Sequence, residues 1–193
     1  EDKYQSIYHG NNRRTGRNYI IFEVLKKSIL DFLAIEEASI NQGNEIKILD
    51  LEKSFEHSIN IPELDFPIKL IGIVDRMDQF NGTLRIIDYK TGLIQPKQLR
   101  LKDWEELRWD NDLAYLFQIL IYSYVNADTI SRYKESSTGI ISFRNLPEYF
   151  MPFELKINHS YALSNDNLNN FEKVLFELIG EIFNSRIPFK ASI

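Results

Sequence analysis

Two short apolar runs rich in β-branched residues, Ile68 to Val74 and Thr83 to Tyr89, flank the polar stretch Gln79-Phe80-Asn81-Gly82 near the middle of the chain. An Asn-Gly step between such runs predicts a hairpin of two antiparallel strands. Upstream, Ile46 to Leu51 and Ser54 to Ile59 alternate with the period of a strand. Downstream, Thr138 to Arg144 and Phe153 to Ile157 read as later strands, separated by Asn145-Leu146-Pro147-Glu148, a turn by composition. Helical spacing takes over elsewhere. Asn18 to Glu37 carries Ile21, Leu25, Ile29, Phe32 and Leu33 as one stripe, and Asn111 to Asn126 carries Leu113, Leu116, Phe117, Leu120, Ile121 and Tyr124. A last helix starts at the capping residues Ser164 to Asp166 and presents Leu168, Phe171, Leu175, Ile179, Ile182 and Phe183. Strands and helices mixed in this order predict an α/β fold.

Composition narrows the class. The chain has 193 residues, of which 44% are hydrophobic. That size supports a single core, and with no internal repeat the expectation is one domain over residues 1–193. No run approaches the roughly 18 apolar residues of a membrane span, and no signal-peptide pattern opens the chain. The absence of cysteine excludes structural disulfides and fits a cytoplasmic setting. A net charge of −5 argues against binding nucleic acid through bulk electrostatics. Local cations are present all the same: Arg13, Arg14 and Arg17 before the first helix, and Lys97, Arg100, Lys102 and Arg108 after the hairpin. Such clusters can contact phosphates. Trp104 and Trp109, in the segment from Leu93 to Asp112, could stack on unpaired bases or pack into the core.

The hairpin carries the candidate chemistry. Its first strand ends in Asp75-Arg76-Met77-Asp78 and its second in Asp88-Tyr89-Lys90. Alternation places Asp88 and Lys90 on one side and Tyr89 on the other, with the Tyr89 carbonyl between them. Asp75 reads as lying at the hairpin end of its strand. Simple pairing then leaves it away from Asp88, so that a twist, bulge or bend is needed to join them. Two carboxylates and a backbone carbonyl are hard oxygen donors suited to magnesium or manganese. A lysine beside the cation can orient or deprotonate a water and offset charge in the transition state. The plainer reading is an exposed ion pair on a hairpin.

Taken together, Gly72-Ile73-Val74-Asp75-Arg76-Met77-Asp78, a hairpin, Ile86-Ile87-Asp88-Tyr89-Lys90-Thr91-Gly92 and then Gln118-Ile119-Leu120-Ile121-Tyr122 resemble the PD-(D/E)XK nuclease superfamily, and within it the RecB/AddB-type exonuclease domains. The resemblance spans roughly residues 45 to 189. It implies a restriction-endonuclease-like mixed β-sheet flanked by α-helices, Mg2+ or Mn2+ as cofactor, and hydrolysis of DNA phosphodiesters at DNA ends beside a helicase domain or subunit in break repair. By the same resemblance Asp75 and Asp88 ligate the metal together with the Tyr89 carbonyl, Lys90 serves the water, and Gln118 and Tyr122 lie near the site. Helical spacing independently sets Gln118 and Tyr122 one turn apart on a shared face.

The chain departs from the family pattern in two places. Relatives carry a histidine or glutamate on an N-terminal helix that completes the metal site. Here His9 lies in a polar stretch, Glu23 reads as a solvated helix residue, and Glu52, near a position where relatives often have a glutamate, reads as structural. Because the chain opens without methionine, a fragment that lacks its first motif is expected. Relatives of the AddB kind also follow segments like Ile187-Pro188-Phe189 with cysteines that hold an iron–sulfur cluster, which this cysteine-free chain cannot form. His57 and His159 have no acidic partner at ligand spacing and read as ordinary strand residues. Two functions follow: a metal-dependent DNA exonuclease domain, or a non-catalytic DNA-end-binding or scaffolding module on the same fold.

Overall fold

The computed structural model describes residues 16–156 and 160–188. His9, Arg13, Arg14, His159 and Phe189 lie outside the described residues. The chain divides into two compact units at Gly43/Asn44.

The first unit contains helix α1 (Gly16–Asn41), longer at both ends than its apolar stripe predicts. It stops at Gly43, whose φ of 94° suits only glycine, with its N–H donating to the Ile40 carbonyl. Of the expected stripe Phe32 is buried, Leu25 is half-buried, and Ile21, Ile29 and Leu33 are exposed. Among the described residues of this unit there is no second layer against which the helix could bury a stripe.

In the second unit, β1 (Ile46–Ile59), β2 (Ile68–Phe80), β3 (Thr83–Lys90), β5 (Ser136–Ser142) and β6 (Met151–Pro152) form a sheet in the order β1-β2-β3-β5-β6. β4 (Arg100–Leu101) and β7 (Glu154–Leu155) pair in a separate two-stranded ribbon. β3 and β5 are parallel, whereas β1, β2 and β3 run antiparallel in turn. The parallel step is bridged by helix α2 (Ala114–Val125) and the short α3 (Ala127–Ile130). Helix α4 (Asn165–Phe183) closes the chain, with the Ser164 side chain accepting from the Asn167 N–H at its start. This is the mixed sheet flanked by helices that the residue pattern implies.

Several boundaries differ from the apolar pattern. β1 is one strand rather than two: the break at Glu52-Lys53 is an irregularity inside it, where Glu52 has φ 52° and the pairing register shifts just upstream, between Ile48 and Asp50. The hairpin loop is only Asn81-Gly82, with φ of 50° and 88°, as a two-residue turn of the primed kind requires. Gln79 and Phe80 therefore belong to β2, which runs on through Asp75 instead of ending at Val74. Of the strand expected from Phe153 to Ile157, Glu154–Leu155 form β7 of the small sheet, and Ile157 lies outside the described residues.

The core lies between the sheet and α2 and α4. Met77, Leu84, Ile86 and Ile140 meet Leu116, Ile119, Leu120, Phe171 and Leu175 in one buried cluster. The Thr138 hydroxyl donates to the carbonyls of Ile86 and Ile119, tying β5, β3 and α2 together. α2 is enclosed on more than its predicted stripe. Ile119, Tyr122 and Ser123 are buried beside Leu116 and Leu120, while Phe117 and Tyr124 stand half-buried with their rings against Phe171 of α4. In α4, Val174 joins the buried stripe, and Ile182 and Phe183 in the last turn stay exposed.

Candidate active site

The β2–β3 register pairs Arg76 with Ile87, Met77 with Ile86 and Asp78 with Arg85. That ladder ends at Arg76–Ile87, and Asp75 is the next residue of β2, near enough to Asp88 for its charge to raise the Asp88 pKa. β2 is longer than its apolar run, so Asp75 is not at its hairpin end. A local distortion is present as well: Val74 and Met77 share the buried cluster although they are three residues apart, so strict alternation breaks between them, beside Glu52 on β1.

Lys90 Nζ lies 2.7 Å from Asp88 Oδ2 and donates to Gln118 Oε1 at 2.8 Å. Gln118 Nε2 donates in turn to the Tyr122 hydroxyl at 2.7 Å. The Tyr89 N–H donates to Asp75 Oδ2 at 2.8 Å, while the Tyr89 ring stacks on Phe143. Asp75, Asp88, Lys90, Gln118 and Tyr122, the residues singled out in the sequence, therefore form one connected group. Tyr115 belongs with them, its ring centroid 5.2 Å from Lys90 Nζ. Three residues ahead of Gln118 on the same helix, it could have been found from the spacing that paired Gln118 with Tyr122.

The site is electrostatically loaded toward a cation. Asp88 is 2% exposed and its pKa is raised; burial is the main cause, Lys90 opposes it and the charge of Asp75 adds to it. Burial also raises the pKa of Tyr122, against the hydrogen bond from Gln118 and with the help of Asp88 and Asp75. Asp88 Oδ2 is buried and has the Lys90 ammonium as its ion-pair partner. With Asp75 close by, a coordinated cation would further offset the cost of burying this negative charge. The donor set of Asp75, Asp88 and the Tyr89 carbonyl fits a hard divalent ion, with its remaining positions open to water and phosphate. Among the described residues no group of three His, Cys, Asp or Glu gathers at one point. Glu52 and Glu23 are both exposed, on β1 and α1.

Of the cations expected to contact phosphates, the four that follow the hairpin are engaged within the chain. Lys97 pairs with Asp112 at 2.6 Å, Arg100 with Glu154 at 2.5 Å and Lys102 with Glu106 at 3.8 Å. Arg108 meets Glu105 and Glu177, both at 2.9 Å, and also Glu181. Trp104 packs on the core against Phe153, whereas Trp109 is 67% exposed. His57 sets its ring edge against Tyr124. Asn145 is a further residue that the pattern missed: its side-chain oxygen accepts from the Ile94 N–H and the Ser142 hydroxyl, holding the loop that follows Lys90. Its signal was the same turn composition that marked it as a loop.

The family model of the PD-(D/E)XK nuclease superfamily matches residues 18–192, and the chain belongs to that superfamily. Nuclease activity gives that superfamily its name, and divalent metals are typical of its members. No curated protein matches. A solved structure described as "Crystal structure of SSO0001" is similar at 16% identity and a TM-score of 0.31, over 81% of this chain and 59% of that one. The chain thus spans about three-fifths of the length of that structure. No helix among the described residues is long and apolar enough to cross a membrane.

Proposed function

We propose that this chain is a divalent-metal-dependent DNA exonuclease domain of the RecB/AddB type, acting on DNA ends in the cytoplasm beside a helicase domain or subunit during break repair. The observation that carries this reading is the proximity of Asp75 to the buried Asp88 just beyond the last β2–β3 pair, with Lys90 held between Asp88 and Gln118. Asp75, Asp88 and the Tyr89 carbonyl are the groups that would hold Mg2+ or Mn2+. When bound, the ion supplies Lewis-acid polarisation of the scissile phosphate. Lys90 orients the attacking water, shares its proton and offsets charge developing on the phosphoryl oxygens. Gln118 holds the Lys90 ammonium in place, and Tyr122 holds the Gln118 amide.

The second reading, a DNA-end-binding or scaffolding module without turnover, draws on two observations. No three-ligand group is present among the described residues, and the cations of the segment from Lys97 to Arg108 are engaged by carboxylates. Against it, a domain released from catalysis has no packing reason to keep two carboxylates and a lysine together at a cost in repulsion and desolvation. End-labelled linear single- and double-stranded DNA, incubated with the chain and Mg2+ or Mn2+ beside the Asp88→Ala variant, separates the two. Metal-dependent cutting that disappears in the variant supports the nuclease. Retention of DNA ends with no cutting by either protein supports the binding module.

A further inference from the structure

The face of the sheet opposite the carboxylate pair carries a buried ion-pair cluster that the chemistry above does not use. Asp78 is 0% exposed and accepts from Arg76 Nε at 2.7 Å, and from Arg85 Nε and Nη2 at 2.7 and 2.8 Å. The Arg85 guanidinium is covered by the rings of Phe80, Phe150 and Tyr149, whose centroids lie 4.6, 5.2 and 5.7 Å away. We infer that this cluster positions the Asp75 carboxylate, acting through Tyr89.

The argument is one of connectivity. Arg76 follows Asp75 in the chain, and its Nη1 donates to the Tyr89 hydroxyl at 3.0 Å on one face of the sheet. On the β3 backbone, the Tyr89 N–H donates to Asp75 Oδ2 at 2.8 Å. The dipeptide Asp75-Arg76 is therefore tied to Tyr89 twice, once by a side chain from each face. Phe143 stacks on the Tyr89 ring at 5.7 Å and 11° without taking part in either hydrogen bond. The closed circuit fixes the rotation of β3 about its own axis at the one residue between Asp88 and Lys90. With both Asp78 oxygens engaged by guanidinium groups, Arg76 has one orientation in which to reach Tyr89.

Stability alone is a poor reason for such a cluster. Apolar side chains of similar volume are often as stabilising as a buried ion-pair group, whereas fixed geometry is something only directional bonds supply. Partners that orient a metal ligand from behind characteristically change metal affinity when removed. The inference rests on the reading that Asp75 ligates the metal, and the test separates the two.

Mn2+ affinity of the full chain is measured by calorimetric titration, with urea unfolding alongside, for wild type and for Tyr89→Phe, Arg76→Lys, Phe143→Leu and Asp75→Asn. Tyr89→Phe keeps the ring and loses the hydroxyl, and Arg76→Lys keeps a positive charge and loses the fork. Each is expected to raise the Mn2+ Kd about tenfold. Phe143→Leu, which removes the stack and leaves the Arg76–Tyr89 bond, is expected to lower stability with the Kd within about twofold of wild type. If Tyr89→Phe and Arg76→Lys bind Mn2+ as wild type does, or if Phe143→Leu raises the Kd as much as they do, the cluster is merely structural and the inference fails. If Asp75→Asn leaves Mn2+ binding unchanged, the metal-site reading itself fails and takes this inference with it.

Discussion

The two faces of the β2–β3 hairpin, one residue apart along each strand, hold opposite kinds of charge group. On the α2 side, two neighbouring carboxylates stand with one ammonium, which pairs with Asp88, while Asp75 accepts from the Tyr89 N–H. On the other side, two guanidinium groups share one carboxylate, and Asp78 has both oxygens engaged. The first group carries an excess of negative charge that a divalent cation would balance, and the second an excess of positive charge. Cation binding is thus proposed for the first face, while the second can restrain geometry. Burial alone does not separate them, since Asp88 and Asp78 are both inaccessible.

Substitutions that break this division should do so asymmetrically. On the α2 side, Asp88→Ala and Lys90→Ala are each expected to lower DNA cleavage at least about 10³-fold in an end-labelled assay, with urea midpoints near wild type. Cleavage at the wild-type rate in both would remove the site from β3. On the other face, Asp78→Ala leaves two buried guanidinium groups without their carboxylate. It is expected to destabilise the fold by about 3–5 kcal/mol in urea unfolding, because an uncompensated buried charge is more costly than the pair is beneficial. A loss of only a few tenths would mean that water reaches Arg76 and Arg85. A smaller effect is expected of Tyr122→Phe, which takes one hydrogen bond from Gln118, worth about 1 kcal/mol, and slows cleavage severalfold. An unchanged rate returns Tyr122 to the scaffold.

The smallest effect concerns pH. The Asp88 pKa stands above its ordinary value of 3.8, chiefly through burial, with Lys90 opposing and Asp75 adding. The folded state therefore holds this proton more tightly than the unfolded chain does. Its contribution to stability is fully present below pH 3.8 and is lost as pH rises through the folded value. Metal-free urea unfolding should show that loss, and Asp88→Asn, which cannot ionise, should flatten it. Added Mn2+ should oppose it, since the cation binds the ionised carboxylate.

Much of the site was legible before any fold was known. Alternation correctly set Asp88 and Lys90 on one side with Tyr89 opposite, and helical spacing set Gln118 and Tyr122 on one face. The place of Asp75 within its strand was misjudged because polar Asp75, Arg76 and Asp78 disguised the end of a strand whose apolar run stops at Val74. Buried charged residues interrupt the hydrophobic signal from which strand length is read. The cations of the segment from Lys97 to Arg108 misled for a related reason. Arg108 finds Glu177 and Glu181, and Arg100 finds Glu154, across separations that local pattern does not span.

What this chain settles by its sequence alone is local: the primed Asn81-Gly82 turn, the strand parity that places Asp88 beside Lys90, the capped start of α4, and the motif order that marks its superfamily. These depend on steric and periodic properties of neighbouring residues, which hold wherever the segment lies. Tertiary structure alone decided which charges were left over. Asp78 is neutralised because β3 brings Arg85 to it, whereas Asp88, with Asp75 nearby, pairs with the Lys90 ammonium, whose other partner is Gln118 delivered by α2. Whether a buried charge is paired depends on what distant segments carry to it, and that is a property of packing.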